Sequence, residues 1–220
     1  MIRALIFDFD GLILDTETPD LLAWQSVYRQ HGQELSVHTW GQHVGGMGAS
    51  AFDPVTHLES LLGGSLDRAT LRSQAHEQDL ALILRQGALP GVRQYLDDAR
   101  RLGLRLAIAS SSPHSWVDGH LTRLRLLDRF AAVICKEAVA PGRTKPHPDL
   151  FLKALTALHA QADEAIVFED SPNGVKAARA AGIFVVAVPN PVTAQLTFEG
   201  ENMRLASLAE IPLGNLLARL

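Results

Sequence analysis

The segment that decides the fold covers residues 4–11 and reads ALIFDFDG, a short apolar run that ends in two carboxylates and a glycine. Four later runs are also short, apolar and rich in branched side chains, and they cover residues 104–109, 131–135, 165–168 and 183–188. Runs of this length that do not alternate with polar residues are typical of strands buried on both faces of a sheet. We therefore predict five buried strands, the first over residues 4–9.

Segments with a helical period lie between the last four runs, for example over residues 116–124 and 150–158. Such alternation predicts an α/β fold with a doubly wound parallel sheet and right-handed crossovers. The pairs Ser112-Pro113 and Ser171-Pro172 are predicted to start helices, with each serine as the N-cap. Ligands of such sheets bind beyond the carboxyl ends of the strands, so the residues that follow each run are the candidates for chemistry.

One connection is much longer than a crossover helix requires. About 90 residues separate the first two predicted strands, and they carry helical patterns over residues 21–30, 50–62 and 68–86. We therefore predict two domains, an α/β core formed by residues 1–15 and 88–220 and an inserted helical domain formed by residues 16–87. This second segment is called the helical insert below, and residues 87–91 are its predicted return hinge.

Composition excludes several classes of protein. The chain has 220 residues, of which 47% are hydrophobic, and this is too apolar for a disordered chain. The net charge of −4 and the lack of like-charge blocks argue against a nucleic-acid partner. A single cysteine, Cys135, excludes a disulfide network and a cysteine-based zinc cluster. No apolar run suits a signal peptide or a membrane span, so we expect a cytoplasmic chain without membrane contacts, compatible with a monomer.

Four acidic residues lie at the carboxyl ends of two of the predicted strands: Asp8, Asp10, Glu169 and Asp170. A lone aspartate at such a place most often caps a turn. Two pairs at one sheet edge are different, because neighbouring carboxylates resist ionising together unless a cation lies between them. Oxygen ligands suit a hard divalent cation, and Mg²⁺ is the usual one beside phosphate. We therefore predict a Mg²⁺ site with these four residues as its ligands.

Groups that could bind an anion follow two other strands. Ser110, Ser111 and Ser112 precede a predicted helix, where hydroxyls and free backbone N–H groups can bind phosphate, although a serine there is more often only an N-cap. Lys145 precedes Pro146, which holds the preceding residue extended and can direct the ammonium into the crevice. A surface position is the ordinary alternative for a lysine.

Taken in order, these motifs resemble the four motifs of the haloacid dehalogenase superfamily of phosphohydrolases. The matching residues are Asp8-Phe9-Asp10-Gly11, Ser110, Lys145-Pro146 and Glu169-Asp170-Ser171-Pro172-Asn173-Gly174. The segments LDTE at 14–17, KPHPD at 145–149 and FEDS at 168–171 resemble, more narrowly, the β-phosphoglucomutase-like branch. The resemblance covers the whole chain and implies that the helical insert is the cap domain of that branch.

The resemblance implies a role for each motif residue. Asp8 would be the nucleophile that becomes an aspartyl phosphate, and Asp10 would protonate the leaving alcohol and later activate water. The Mg²⁺ ligands would be the carboxylates of Asp8 and Asp170 and the backbone carbonyl of Asp10, with Glu169 binding directly or through water. The transferring phosphoryl group would be held by Ser110, the Ser111 backbone N–H and Lys145.

Substrate specificity is expected to come from the helical insert. The candidate contacts are Thr16, Asp20, Trp24, His43, Gly45, Gly46 and Met47, of which we favour Thr16, Asp20, His43 and Gly46. The helical spacing of Trp24 with neighbouring apolar residues favours core packing over substrate contact. A solvent-exposed or capping position is the simpler interpretation of His43.

Two departures distinguish this chain from the sugar-phosphate mutases of the branch. Those enzymes carry a histidine in the first cap helix and an arginine in the cap loop that binds a second phosphate. Asp20 takes the place of the histidine here, and residues 44–49 contain no arginine. A mutase stays open, because Arg72 or Arg85 could reach the same place.

The sequence therefore predicts a Mg²⁺-dependent phosphatase of a small phosphorylated metabolite, such as a sugar phosphate, acting through an aspartyl phosphate. A β-phosphoglucomutase-type mutase is the alternative. A third hypothesis, a catalytically silent binding protein on this fold, is disfavoured, since binding alone needs neither of the paired acids Asp8 and Asp10.

Overall fold

The computed structural model describes residues 1–44 and 52–220 of the chain. The strands are β1 Ala4–Phe7, β2 Arg105–Ala109, β3 Ala132–Ile134, β4 Ala165–Glu169, β5 Phe184–Ala187 and β6 Met203–Arg204. The helices are α1 Glu17–Gln30, α2 Val37–Val44, α3 Pro54–Leu62, α4 Arg68–Ile83, α5 Val92–Arg101, α6 His114–Arg123, α7 Asp149–Ala157, α8 Pro172–Ala180 and α9 Leu213–Leu217. Among these helices, none combines the length and apolar character needed to cross a membrane.

Within the described residues, the strands form one parallel sheet in the order β3-β2-β1-β4-β5-β6. Strand β1 lies at the centre, and its last residue, Phe7, is level with Ile108 of β2 and Phe168 of β4. The three strands therefore end side by side. This parallel α/β arrangement confirms the predicted fold class.

Each face of the sheet is covered by a separate apolar cluster. Leu5 and Phe7 point to the face covered by α5, α6 and α9, whereas Ala4 and Ile6 point to the face covered by α7 and α8. Residues of a strand alternate between the two faces, so both halves of β1 must be apolar. This explains why β1 appears in the sequence as a continuous apolar run.

The helical insert contains α1 to α4 and has an apolar cluster of its own. Helices α1 and α4 pack on each other, and the cluster includes Trp24, Tyr28, Trp40 and Leu58. Val192, from the segment that follows β5, joins this cluster. The insert therefore packs on the core beside the carboxyl end of β5.

Several element boundaries differ from those predicted. Strand β1 ends at Phe7 rather than Phe9, although the backbone N–H of Asp8 still donates to the carbonyl of Phe168 over 3.0 Å. Helix α1 begins at Glu17, four residues before the predicted start. Oδ1 of Asp15 accepts from the backbone N–H of Thr18 in the first turn over 2.9 Å, and a proline is tolerated in that turn. Helix α2 and the two-residue strand β6 were not predicted.

The other helices of the insert are shorter than predicted. Helix α3 begins at Pro54, because Asp53 caps it by accepting from Thr56 N–H, and residues 50 and 51 lie outside the described part. Helix α4 ends at Ile83 instead of residue 86. The guanidinium of Arg123 donates to the carbonyls of the last turn and of the residues beyond it, which satisfies groups that a longer helix would bond internally.

One of the two predicted serine caps is wrong. Ser171 caps α8 as predicted, with Pro172 in the first turn and the hydroxyl accepting from Gly174 N–H over 3.1 Å. Ser112 does not cap α6, whose N-cap residue is Pro113. The Ser112 hydroxyl donates instead to Oδ2 of Asp10 over 2.7 Å.

Candidate active site

A polar cavity of about 440 Å³ opens at the carboxyl ends of β1, β2 and β4, between the sheet and the helical insert. Core residues that line it are Asp8, Asp10, Ser111, Ser112, Trp116, Lys145, Asp170, Ser171 and Asn173. Residues of the insert that line it are Thr16, Glu17, Asp20, Asp79 and Ile83. The location is the one expected for a ligand site in a doubly wound sheet.

A buried charge cluster forms the floor of this cavity. The Lys145 ammonium lies 2.5 Å from Oδ1 of Asp8 and 2.5 Å from Oε1 of Glu169. The side chain of Lys145 is 6% exposed, and that of Glu169 is fully buried. Lys145 also lies 5.2 Å from the centre of the Phe151 ring. Lys145 is therefore held inside the site rather than at the surface.

The acids of this cluster outnumber its cation. Oxygens of Asp8, Glu169 and Asp170 lie within 4.8 Å of one another. Burial, with the negative charge of Glu169, raises the pKa of Asp8 to about 8, although Lys145 opposes this shift. Burial and the negative charges of Glu169 and Asp8 raise the pKa of Asp170. Burial alone would lower the pKa of Lys145, but the carboxylates of Asp8 and Glu169 hold it above its ordinary value.

This donor set fits a hard divalent cation. Three buried carboxylates converge on one point, and a single ammonium offsets only part of their charge. Hard cations with oxygen ligands are the groups that such a set binds. The carboxylate of Asp10 is not part of the converging set.

Two glycines allow the acids to pack this closely. A Cβ atom at Gly174, in the first turn of α8, would overlap the carboxylate of Glu169. Gly11 has a φ of +76°, and a Cβ atom there would overlap the Asp170 carboxylate. Both positions are therefore restricted to glycine by backbone conformation or by the close approach of an acid.

The carboxylate of Asp10 is fixed by donors from β2 and α6. Oδ2 accepts from Ser112 Oγ over 2.7 Å and from Ser110 Oγ over 3.3 Å, while Oδ1 accepts from Trp116 Nε1 over 2.8 Å. Asp10 therefore lines the cavity in a fixed orientation, separate from the Lys145 cluster. Ser110 is fully buried behind it, and Ser111 lines the cavity.

Sequence reasoning missed two side chains that bond to the acids of the core, Trp116 and Asn190. Trp116 was assigned only to a helical period, whereas Ser112 was named both as an N-cap and among the groups that could bind phosphate. Asn190 donates to Asp170 Oδ2 over 2.7 Å from the segment that follows β5. The predicted strand over 183–188 could have indicated Asn190, since it follows the carboxyl end of that strand.

The predicted contacts of the insert divide into three groups. Thr16 and Asp20 line the cavity. His43 lies in α2 but its side chain is outside the described part, and Gly46 lies wholly outside it, as do Gly45 and Met47. Trp24 is buried in the apolar cluster of the insert.

Two further acids of the insert face the same cavity. Burial, with the charges of Asp10 and Asp20, raises the pKa of Glu17 to about 8. Burial and Asp20 raise the pKa of Asp79 to about 7. Neither was a predicted site residue, and the spacing of α4 alone gives no signal for Asp79.

The arginines considered for a second phosphate do not line the cavity. Arg72 pairs with Asp53 on the exposed side of the insert, and Arg85 is exposed at the end of α4. Within the described residues that line the cavity, Lys145 is the only lysine or arginine.

Comparison with known proteins identifies the family. Residues 5–188 match the model of the haloacid dehalogenase-like hydrolases. A Bacillus subtilis (strain 168) protein named "Putative phosphatase YhcW" is 42% identical over 220 residues, covering 100% of this chain and 98% of its own. A Thermotoga maritima protein named "Phosphorylated carbohydrates phosphatase" is 30% identical over 184 residues, covering 82% of each chain.

A solved structure agrees with this result. The crystal structure of a "putative beta-phosphoglucomutase" from Thermotoga maritima superposes with a TM-score of 0.76 at 27% identity, covering 100% of both chains. The match of the family model spans most of the sequence, including β1 to β5 and the residues of the cavity floor. This chain therefore belongs to the haloacid dehalogenase-like hydrolases.

Proposed function

We propose that this protein is a Mg²⁺-dependent phosphomonoesterase that acts on a small phosphorylated metabolite through an aspartyl phosphate on Asp8. The observation that carries the proposal is the placement of Asp8 at the cavity floor, 2.5 Å from the Lys145 ammonium and beside two further buried acids. Lys145 favours the ionised, nucleophilic form of Asp8, and the cavity gives a substrate access to it.

The proposed metal ligands are Asp8, Asp170 and Glu169, together with the backbone carbonyl of Asp10. The convergence of the three carboxylates and their excess of negative charge support this assignment. When bound, Mg²⁺ would offset the repulsion among the acids and stabilise negative charge on the phosphoryl oxygens.

Two acids divide the proposed reaction between them. A carboxylate oxygen of Asp8 attacks phosphorus, and the bond between phosphorus and the alcohol oxygen breaks. Asp10 gives its proton to that oxygen, so the alcohol leaves neutral. Water then attacks the phosphorus of the aspartyl phosphate, Asp10 takes the proton of the water, and inorganic phosphate is released with the Asp8 carboxylate restored.

The remaining residues of the floor position the phosphoryl group. Lys145 and the Ser111 backbone N–H are proposed to bind its oxygens, with Ser110 holding the loop that contains Ser111. The Ser110 hydroxyl accepts from Ser112 N–H over 3.0 Å, which fixes the loop that follows β2. The hydrogen bonds of Ser110, Ser112 and Trp116 to Asp10 hold the proton-transfer group in one orientation.

We propose that the helical insert, residues 16–87, is a cap domain over a core of residues 1–15 and 88–220. Its separate apolar cluster and its contribution of one wall to the cavity support this division. Because that wall faces the part of a substrate beyond its phosphate, the insert would select the substrate.

We propose that the substrate belongs to the sugar phosphates, without naming the sugar. The polar lining of the cavity and the relative named "Phosphorylated carbohydrates phosphatase" support it. The mutase alternative has less support, since a bisphosphate intermediate needs a second cationic site. Lys145, the only lysine or arginine among the described lining residues, is already assigned to the transferring phosphoryl group at the cavity floor.

Phosphorus NMR separates the two activities. The protein is incubated with Mg²⁺, β-glucose 1-phosphate and a trace of glucose 1,6-bisphosphate, beside Asp8→Asn as the blank. We expect inorganic phosphate to appear. Accumulation of glucose 6-phosphate with little free phosphate would identify a mutase and overturn the proposal. If this sugar is not turned over, a panel of sugar and nucleotide monophosphates decides, and no phosphate release from any of them would also overturn it.

A further inference from the structure

The wall of the cavity that the helical insert contributes is acidic. Glu17 and Asp20 lie on α1, and Asp79 lies on the facing helix α4. Each lines the same cavity as Asp8 but belongs to a different part of it, since the catalytic acids follow β1 and β4. An acidic wall opposite a phosphate-binding floor requires an explanation, because it repels a dianionic substrate.

Glu17 and Asp79 form no ion pair with any residue in the described ranges 1–44 and 52–220. Residues 45–51 contain neither lysine nor arginine, so that segment of the insert supplies no permanently charged group. The charge of Glu17 and Asp79 is thus left for a ligand to balance.

A second, independent observation points to a ligand at the same wall. Thr16 is 9% exposed and lines the cavity, and its hydroxyl oxygen has no hydrogen-bond partner among the described residues. Oδ1 of Asp79 is likewise buried without a hydrogen-bond partner in that part of the chain. Buried polar atoms are nearly always hydrogen-bonded, so two such atoms in one cavity indicate acceptors that a bound molecule satisfies.

The spacing of the wall acids does not suit a metal ion. The described residues that bring three ligand atoms within 4.8 Å of one another are the cluster at Asp8 and another at Cys135. Glu17, Asp20 and Asp79 form no such group. An ammonium group suits acceptors spread over a wider surface, because it donates three hydrogen bonds and carries the missing positive charge.

We propose that the substrate is a phosphomonoester whose alcohol part carries a protonated amine, and that Glu17, Asp79 and Thr16 bind this amine. This inference rests on the proposed phosphatase function and names its substrate class. The phosphate lies on the floor with Lys145, and the amine lies against the insert. A neutral hydroxyl could accept or donate hydrogen bonds at the same place but leaves the charge of the wall unbalanced.

A bound ammonium group would increase the negative charge on Glu17 and Asp79. Burial and neighbouring acids raise the pKa of both Glu17 and Asp79, so part of their charge is lost when the cavity holds only water. A bound ammonium favours their ionised forms, since an opposite charge within a few ångströms stabilises a carboxylate.

Matched substrates that differ by one group test the inference. Glucosamine 6-phosphate is compared with glucose 6-phosphate and N-acetylglucosamine 6-phosphate, and phosphoethanolamine is compared with ethyl phosphate. We expect kcat/KM to be at least tenfold higher for the aminated member of at least one pair. Asp79→Asn should reduce that ratio toward one. Glu77→Gln, which removes an exposed charge from the same helix, should leave the ratio unchanged.

Binding separates the failure of this inference from the failure of the proposed function. Calorimetric titration of the Asp8→Asn protein with each pair should show the same preference for the amine. Turnover or binding without an amine preference in either pair would overturn the inference and leave the phosphatase intact. A binding preference without phosphate release from any substrate would support the amine site and contradict the phosphatase.

Discussion

We predict that Asp79 lowers the free energy of unfolding at neutral and alkaline pH, and that Asp79→Asn raises it there. The pKa of Asp79 is raised to about 7 in the folded chain because burial and Asp20 disfavour its charge. A carboxyl whose folded pKa is raised stabilises the folded state fully only below its unfolded pKa, near 4. That stability is lost as the pH rises from about 4 to about 7. Asn carries no charge, so Asp79→Asn escapes the loss.

The size of the effect follows from the pKa shift. A shift of about three pKa units corresponds to an upper limit of about 4 kcal/mol. The side chain is only partly buried, and solvent screening lowers the expected gain to about 1–2 kcal/mol. For a chain of 220 residues, this corresponds to a rise in Tm of roughly 2–8 °C at pH 8, with little change at pH 4.

Thermal unfolding followed by circular dichroism in EDTA measures this directly. Wild type, Asp79→Asn and the control Glu77→Gln are compared at pH 4, 6 and 8. The reasoning is refuted if Asp79→Asn has a lower Tm than wild type at pH 8, or if its gain does not grow between pH 4 and pH 8. A gain matched by Glu77→Gln would show that net charge, rather than burial of Asp79, is responsible.

Three further predictions concern the cavity floor. Trp116→Phe removes the hydrogen bond to Asp10 and should lower kcat about tenfold with little change in KM. An unchanged kcat in steady-state assays would contradict the role of Trp116 in positioning Asp10. Gly174→Ala should lower phosphatase activity at least a hundredfold, because the added methyl group overlaps Glu169. The control Gly214→Ala adds a methyl group that meets no neighbouring atom. Equal activities of the two variants would argue against the close packing of Gly174 on Glu169. Dialysis against EDTA should abolish phosphate release, and Mg²⁺ should restore it; full activity in EDTA would exclude the metal.

Much of the core could be predicted because its strands can be recognised from short stretches of sequence. The strands around Ile6, Ile108 and Val167 are buried on both faces and therefore appear as short apolar runs. Asp8 and Asp170 follow such runs, and strands that end at one edge bring them together. Helix α2 and strand β6 gave weaker patterns, because each is short and packs against other elements.

The parts of the site that were missed depend on which face of an element meets the cavity. Trp116 has helical spacing with core residues, yet its indole N–H bonds to Asp10. Asp79 lies on a largely polar helix, and only the packing of α4 on α1 directs it inward. Asn190 reaches Asp170 from a segment that carries no motif. Such placements depend on tertiary packing, which no local pattern records.

The central claim is that Asp8 is the nucleophile of a phosphatase. Its most direct test is phosphate release from p-nitrophenyl phosphate in Mg²⁺ by wild type and Asp8→Asn, with circular dichroism to show that both are folded. The account predicts turnover by wild type and a loss of at least about a thousandfold in the folded variant. Activity of Asp8→Asn above about a thousandth of wild type would contradict it.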